Sequence, residues 1–136
     1  MPIRDLIRRP VESLSAAATC QEAARLMRDR NVGCVVVHDS DGGPLGMVTD
    51  RDLALRIVAT GESGEKRLLS DVMTEDPIFV HGDRSLDDAI RVMRDGRVRR
   101  VLVVDEGGRL EGVVSLDDLL AVLAAEIGDL SETVEP

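Results

Sequence analysis

Apolar positions along this chain follow two alternating rhythms, and the alternation occurs twice. Cys20, Ala23, Ala24 and Met27 form an i, i+3, i+4, i+7 stripe, the signature of an amphipathic helix. Val35 to Val37 is a continuous β-branched run, as in a strand buried on both faces. Asp39-Ser40-Asp41-Gly42-Gly43 is a turn, Leu45 to Thr49 a second strand, and Leu53, Ile57 and Val58 mark a last helix. The same succession then returns. Its stripe is Leu86, Ala89, Ile90 and Met93, and its first strand is Val101 to Val104. The turn is Asp105-Glu106-Gly107-Gly108, the second strand Leu110 to Ser115, and the last helix carries Leu119, Leu120, Leu123 and Ile127. Each copy opens with a lead-in of helical apolar spacing, first Ile3, Leu6 and Ile7, then Leu69, Val72 and Met73. A short extended piece follows each lead-in, near Glu12 to Ser15 and near Ile78 to His81. Thr19 with Glu22, and Ser85 with Asp88, have capping-box spacing at the helix starts.

The two copies superpose in sequence without gaps at an offset of 66 residues, with 14 of 35 positions identical between Thr19 and Leu53. The predicted unit is strand, helix, strand, strand, helix, so the fold class is α/β in content, of the α+β kind. Neither copy, at roughly 55 residues, buries much apolar surface alone, so the two are expected to pack through their sheets. The expected organisation is a first domain over 1–60, a linker over 61–67, a second domain over 68–127 and a flexible acidic tail over 128–136.

Composition narrows the function classes. Of 136 residues, 17 are basic and 26 acidic, a net charge of −9 that disfavours nucleic acid and anionic membranes. Phe79 is the one aromatic residue, which excludes modules that stack several bases. No apolar run approaches a bilayer span, and the N-terminus lacks an apolar signal core, so the expected location is cytoplasmic. Two cysteines and two histidines cannot make a four-ligand zinc site of the usual spacing. His38 and His81 lack a nearby second ligand, and no metal is expected. Cys20 and Cys34 fit buried thiols, with a disulfide as the alternative if their Cα atoms approach to about 6 Å. No Gly-rich phosphate loop and no Ser/His or Cys/His arrangement is present, so catalysis is not expected.

The doubled pattern resembles a tandem pair of CBS domains (cystathionine β-synthase-type), the arrangement called a Bateman module. Asn31-Val32-Gly33-Cys34-Val35-Val36-Val37 and Gly46-Met47-Val48-Thr49-Asp50-Arg51-Asp52-Leu53 carry the resemblance in the first copy. In the second copy it rests on Arg97-Val98-Arg99-Arg100-Val101-Leu102-Val103-Val104-Asp105 and Gly112-Val113-Val114-Ser115-Leu116-Asp117-Asp118-Leu119. The resemblance spans Ile3 to about Ile127. It implies two β-α-β-β-α repeats related by a pseudo-twofold axis, with clefts between them that often bind AMP, ADP or ATP. S-adenosylmethionine, NAD and cyclic dinucleotides are the alternative ligands it implies. It also implies a disc-shaped homodimer and a regulatory role toward an unknown protein partner, with no obligatory cofactor.

The resemblance places Thr49 and Asp52, and Ser115 and Asp118, at ribose and phosphate contacts. A carboxylate can accept two hydrogen bonds from a ribose diol, and a hydroxyl at a helix start suits an anion. Thr-x-x-Asp and Ser-x-x-Asp are equally plain capping boxes, and the two roles are compatible. Arg99 and Arg100 sit where some relatives carry phosphate contacts, within a run that also holds Arg91, Arg94 and Arg97. A solvated face with local ion pairs is the other reading of that run. The first copy has Gly33 and Cys34 instead, so its cleft is expected to bind differently. Arg51, aligned with Asp117, is a phosphate candidate or a surface ion pair. Leu14 and Ala16, and Ile78 and Val80, match segments that hold adenine, with ordinary core packing as the alternative. The competing function is a structural or protein-interaction homodimer with empty clefts, paired through Leu120, Leu123 and Ile127.

Overall fold

The computed structural model describes the backbone of residues 1–7 and 11–134 and the side chains of residues 1–7 and 11–128. The chain forms two compact units, Val11–Pro77 and Met1–Pro10 with Ile78–Pro136.

In the unit Val11–Pro77, strand β1 (Ser13–Ser15) leads to helix α1 (Cys20–Arg30), and strands β2 (Cys34–His38) and β3 (Pro44–Thr49) follow. β1 runs parallel to β2, and β2 antiparallel to β3. Thr19 starts α1 with the full capping box, its Oγ1 accepting from Glu22 N–H at 3.2 Å while Glu22 Oε2 accepts from Thr19 N–H at 2.9 Å. Asn31 ends α1 in the left-handed conformation, φ +53°, which asparagine adopts more readily than most residues. Helix α2 (Asp50–Leu53) continues as a turn with i→i+5 bonding over Ala54–Val58, with Ala59 N–H donating to the Ala54 carbonyl at 2.9 Å. The core comprises Cys20, Ala23, Met27, Val35, Val37, Val48, Leu53, Ile57, Leu69 and Val72. The helical stripe and the valine run read from the sequence thus meet in one interior. Residues 61–67, expected as a linker, dock on the start of α1: the Gly64 and Arg67 carbonyls accept from Gln21 and Cys20 N–H at 3.0 and 2.9 Å.

The other unit repeats the plan with β5 (Phe79–His81), α4 (Leu86–Gly96), β6 (Arg100–Val104), β7 (Leu110–Ser115) and α5 (Leu116–Val134). The sheet order is β5-β6-β7, with β5 parallel to β6 and β6 antiparallel to β7. Both sheets carry an irregularity at the same place in the repeat, between Val37 and His38 and between Val103 and Val104. The acidic segment from Gly128, expected as a flexible tail, belongs to α5 as far as Val134. Glu135 and Pro136 lie outside the described residues.

The lead-ins are exchanged between the repeats. The 3₁₀ turn Ile3–Leu6 packs in the unit built on the second repeat, with Ile3 N–H donating to the Arg84 carbonyl at 2.8 Å and Arg4 N–H to that of Gly82 at 3.0 Å. Helix α3 (Leu69–Val72) and strand β4 (Thr74–Glu75) pack in the unit built on the first, where β4 pairs antiparallel with β3. Glycine sits at the crossing in both copies. A Cβ on Gly46 would lie 2.5 Å from the Thr74 carbonyl oxygen, and one on Gly112 would lie 2.6 Å from Ile7 Cγ2.

Candidate functional site

Each second strand ends where a helix begins, and the two junctions have the same geometry. Thr49 Oγ1 accepts from Asp52 N–H at 3.1 Å, and Asp52 Oδ2 accepts from Thr49 N–H at 2.9 Å. Ser115 Oγ accepts from Asp118 N–H at 3.1 Å, and Asp118 Oδ2 accepts from Ser115 N–H at 2.8 Å. These are complete capping boxes. Ser85 and Asp88 close another at the start of α4, so the motif serves helix starts throughout this chain. The cap engages one oxygen of each carboxylate, Oδ2. The preceding loop is tied in as well, with Asp50 N–H donating to the Gly33 carbonyl at 3.1 Å and Leu116 N–H to that of Arg99 at 2.7 Å.

Register decides which other candidates gather there. Arg100 is the cross-strand partner of Ser115, as Cys34 is of Thr49. The second junction thereby brings together Arg99, Arg100, Ser115 and Asp118. Arg100 is half-buried and, among the described residues, pairs with no carboxylate. Arg99 is exposed and approaches Asp117 Oδ1 at 3.8 Å, an ion pair open to water and weak for that reason. Ile78 lies at the same end of the sheet, its carbonyl accepting from Leu102 N–H at 2.9 Å. Its side chain covers Gly96, where a Cβ would run into Ile78 Cδ1.

Val80, Leu14 and Ala16 lie further from the two junctions. Val80 is paired with Val103, and Leu14 with Val37. Each is three residues along the strand from Arg100 or Cys34, about 10 Å at strand rise. Ala16 follows β1, its N–H donating to the His38 carbonyl at 3.0 Å. Val80 is a buried core residue, and Leu14 and Ala16 pack against the core of their own unit. Arg51 is exposed in the first turn of α2 and has no ion pair among the described residues.

Neither Cys20 nor Cys34 is in a disulfide. Burial pushes the Cys20 thiol above its usual range, and nearby Arg67 opposes this only partly. Among the described residues, no group of three or more metal-ligating side chains converges, and no helix is long and apolar enough to cross a membrane.

Sequence reasoning missed the guanidinium clamp of Arg4. Its Nε and Nη2 donate to Glu111 at 2.9 Å each, and Nη1 to Asp83 Oδ1 at 2.6 Å. The two carboxylates hold the guanidinium charged, pushing its pKa further up. The partners stand 79 and 107 residues away, a separation at which no periodicity signals a pair.

The family model of the CBS domain matches residues 3–59 and 69–125. The Bacillus subtilis CBS domain-containing protein YhcV is 38% identical over 117 residues, covering 86% of this chain and 81% of that protein. The uncharacterized protein YlbB of Bacillus subtilis is 38% identical over 118 residues, covering 86% and 78%. Among solved structures, a CBS domain protein of Pyrobaculum aerophilum complexed with AMP is 30% identical with a TM-score of 0.79, covering 92% of this chain and 99% of that one.

Proposed function

The chain belongs to the CBS-domain family, and from that membership we propose that it is a cytoplasmic regulatory module that binds an adenine nucleotide and signals in trans to a protein partner. The observation that carries the reading is Arg100. A half-buried guanidinium without a carboxylate partner among the described residues stands across the strand pair from Ser115. A guanidinium fork of this kind suits a phosphate taken in bidentate fashion. Ser115 and the positive dipole end of α5 favour an anion there, and Asp118 keeps Oδ1 outside the cap for a ribose diol. Ile78 supplies an apolar contact at the same sheet end. The AMP complex of the Pyrobaculum aerophilum relative supports the same ligand class. The first junction has Cys34 in place of Arg100, so Thr49, Asp52 and Arg51 form the weaker of the two sites. No catalytic role is assigned to any residue.

Thermal unfolding against AMP, ADP, ATP, NAD, S-adenosylmethionine and cyclic di-AMP tests this. A ligand at 100 times its Kd adds about 2.7 kcal/mol. The shift is expected to vanish in Arg100→Ala and to shrink in Asp118→Asn, which keeps the capping acceptor. It should survive in Asp52→Asn. No shift with any ligand overturns the reading. The scaffold reading would then stand on α5, where Leu120, Leu123 and Ile127 form an exposed stripe at 52, 41 and 66%. Those residues suit pairing into a homodimer, which light scattering of Leu123→Glu against the parent chain would reveal.

A further inference from the structure

A groove of about 340 Å³ runs beside β5 and α4. Three independent features meet in it. First, β5 is an edge strand. Ile78 C=O and Gly82 N–H bond to β6. Peptide groups alternate in direction along a parallel pair. The N–H and C=O of Phe79, and the N–H of His81, therefore point outward, while the His81 carbonyl is taken by Arg84 N–H at 3.0 Å. Second, Phe79 and Val92 line the groove with apolar surface, and Phe79, at 44% exposure, is a large apolar group on an open strand edge. Third, the rim is cationic. Arg84 and Arg91 face a single lining carboxylate, Asp88. Asp88 approaches Arg91 at only 3.9 Å, and its other oxygen serves the cap of α4. On a chain of net charge −9 this lining carries a formal +1 (Arg84 and Arg91 against Asp88, His81 neutral).

We infer that this groove binds an extended acidic segment of a partner protein by strand addition to β5. The outward peptide groups supply backbone hydrogen bonds, and the Phe79–Val92 surface receives an apolar side chain of the added strand. Arg84 and Arg91 pair with its carboxylates. The first repeat acts as a built-in comparison. At the positions of Phe79, His81 and Arg84 it has Ser13, Ser15 and Ala18, while Arg25 stands at the position of Arg91, so the first repeat lacks the aromatic and one of the two cations. The inference names a partner chemistry and requires no nucleotide, so its failure leaves the nucleotide reading intact.

A random linear heptapeptide library panned against the intact chain tests it. The counter-selection is the variant Phe79→Ser, Arg84→Glu, Arg91→Glu, whose changes all lie at exposed positions. Enriched peptides are expected to alternate acidic and aliphatic residues. By fluorescence anisotropy they should bind the parent chain at least tenfold more tightly than the variant. N-methylation at alternate peptide nitrogens should abolish binding. An unchanged thermal midpoint in the variant verifies that its fold is kept. Failure to enrich any peptide over the variant overturns the proposal, as does enrichment of basic sequences or indifference to N-methylation. Loss of AMP stabilisation in the variant, with no peptide enriched, would make the groove a small-anion site and likewise overturn it.

Discussion

Arg97 ends α4 in the left-handed conformation with φ +53°. An L-residue with a long side chain is strained there, and the same place in the first repeat is filled by Asn31, φ +53°. Arg97→Gly is expected to stabilise the chain by about 0.5–1 kcal/mol, offset in part by the freer unfolded chain. That corresponds to roughly 2–4 °C in the thermal midpoint. Cys20 makes a second expectation. Its thiol is buried and raised, so iodoacetamide at neutral pH should label Cys34 well before Cys20, as read by mass spectrometry. Because the folded state favours the protonated thiol, this group's contribution to stability is complete below the ordinary thiol range. It declines as pH rises through that range. At this scale the sequence showed Thr49 and Ser115 as helix starts. It could not show the left-handed Arg97, which carries no residue-type signal, nor the Arg4 clamp, whose partners are remote in the chain.

Elements were legible where a period was strong. The stripes of α1 and α4 and the valine runs of β2 and β6 need only local pattern, and the structure has them within a residue or two of expectation. The i→i+5 turn over Ala54–Val58 and the helical course of α5 past Gly128 were not legible. Local composition speaks of propensity there, while hydrogen bonding decides the outcome. The repeated glycines tie the elements together. Gly112→Ala should destabilise by about 1–3 kcal/mol through overpacking against Ile7. Adding Ile7→Ala should recover part of that loss, because the obstacle is a side chain. Gly46→Ala meets the Thr74 carbonyl oxygen instead, so Met73→Ala should recover little. Chemical denaturation of the single and double variants reads both coupling energies.

For the whole molecule, the repeat seen in sequence and the unit that packs are offset by the exchanged lead-ins. Residues 11–77 contain β1 to β4 and the complete core that includes Leu69 and Val72. A fragment of those residues is expected to unfold cooperatively by circular dichroism. A fragment of residues 1–60, lacking α3 and β4, is expected to lose that cooperativity. The candidate site was only partly legible at this scale. Spacing could put Ser115 near Asp118, but only strand register puts Arg100 opposite Ser115 and carries Val80 about 10 Å from it. The exchange also sets an order of events on the ribosome. The segment 11–77 is complete as soon as it has left the exit tunnel. Residues 1–7, although made before that segment, must wait for β5 to β7 before Ile3 and Leu6 find their core. Synthesis at about 5–20 residues per second leaves them exposed for several seconds. During that interval Ile3, Leu6 and Ile7 are apolar side chains without their core, available to any chaperone that reads nascent apolar segments.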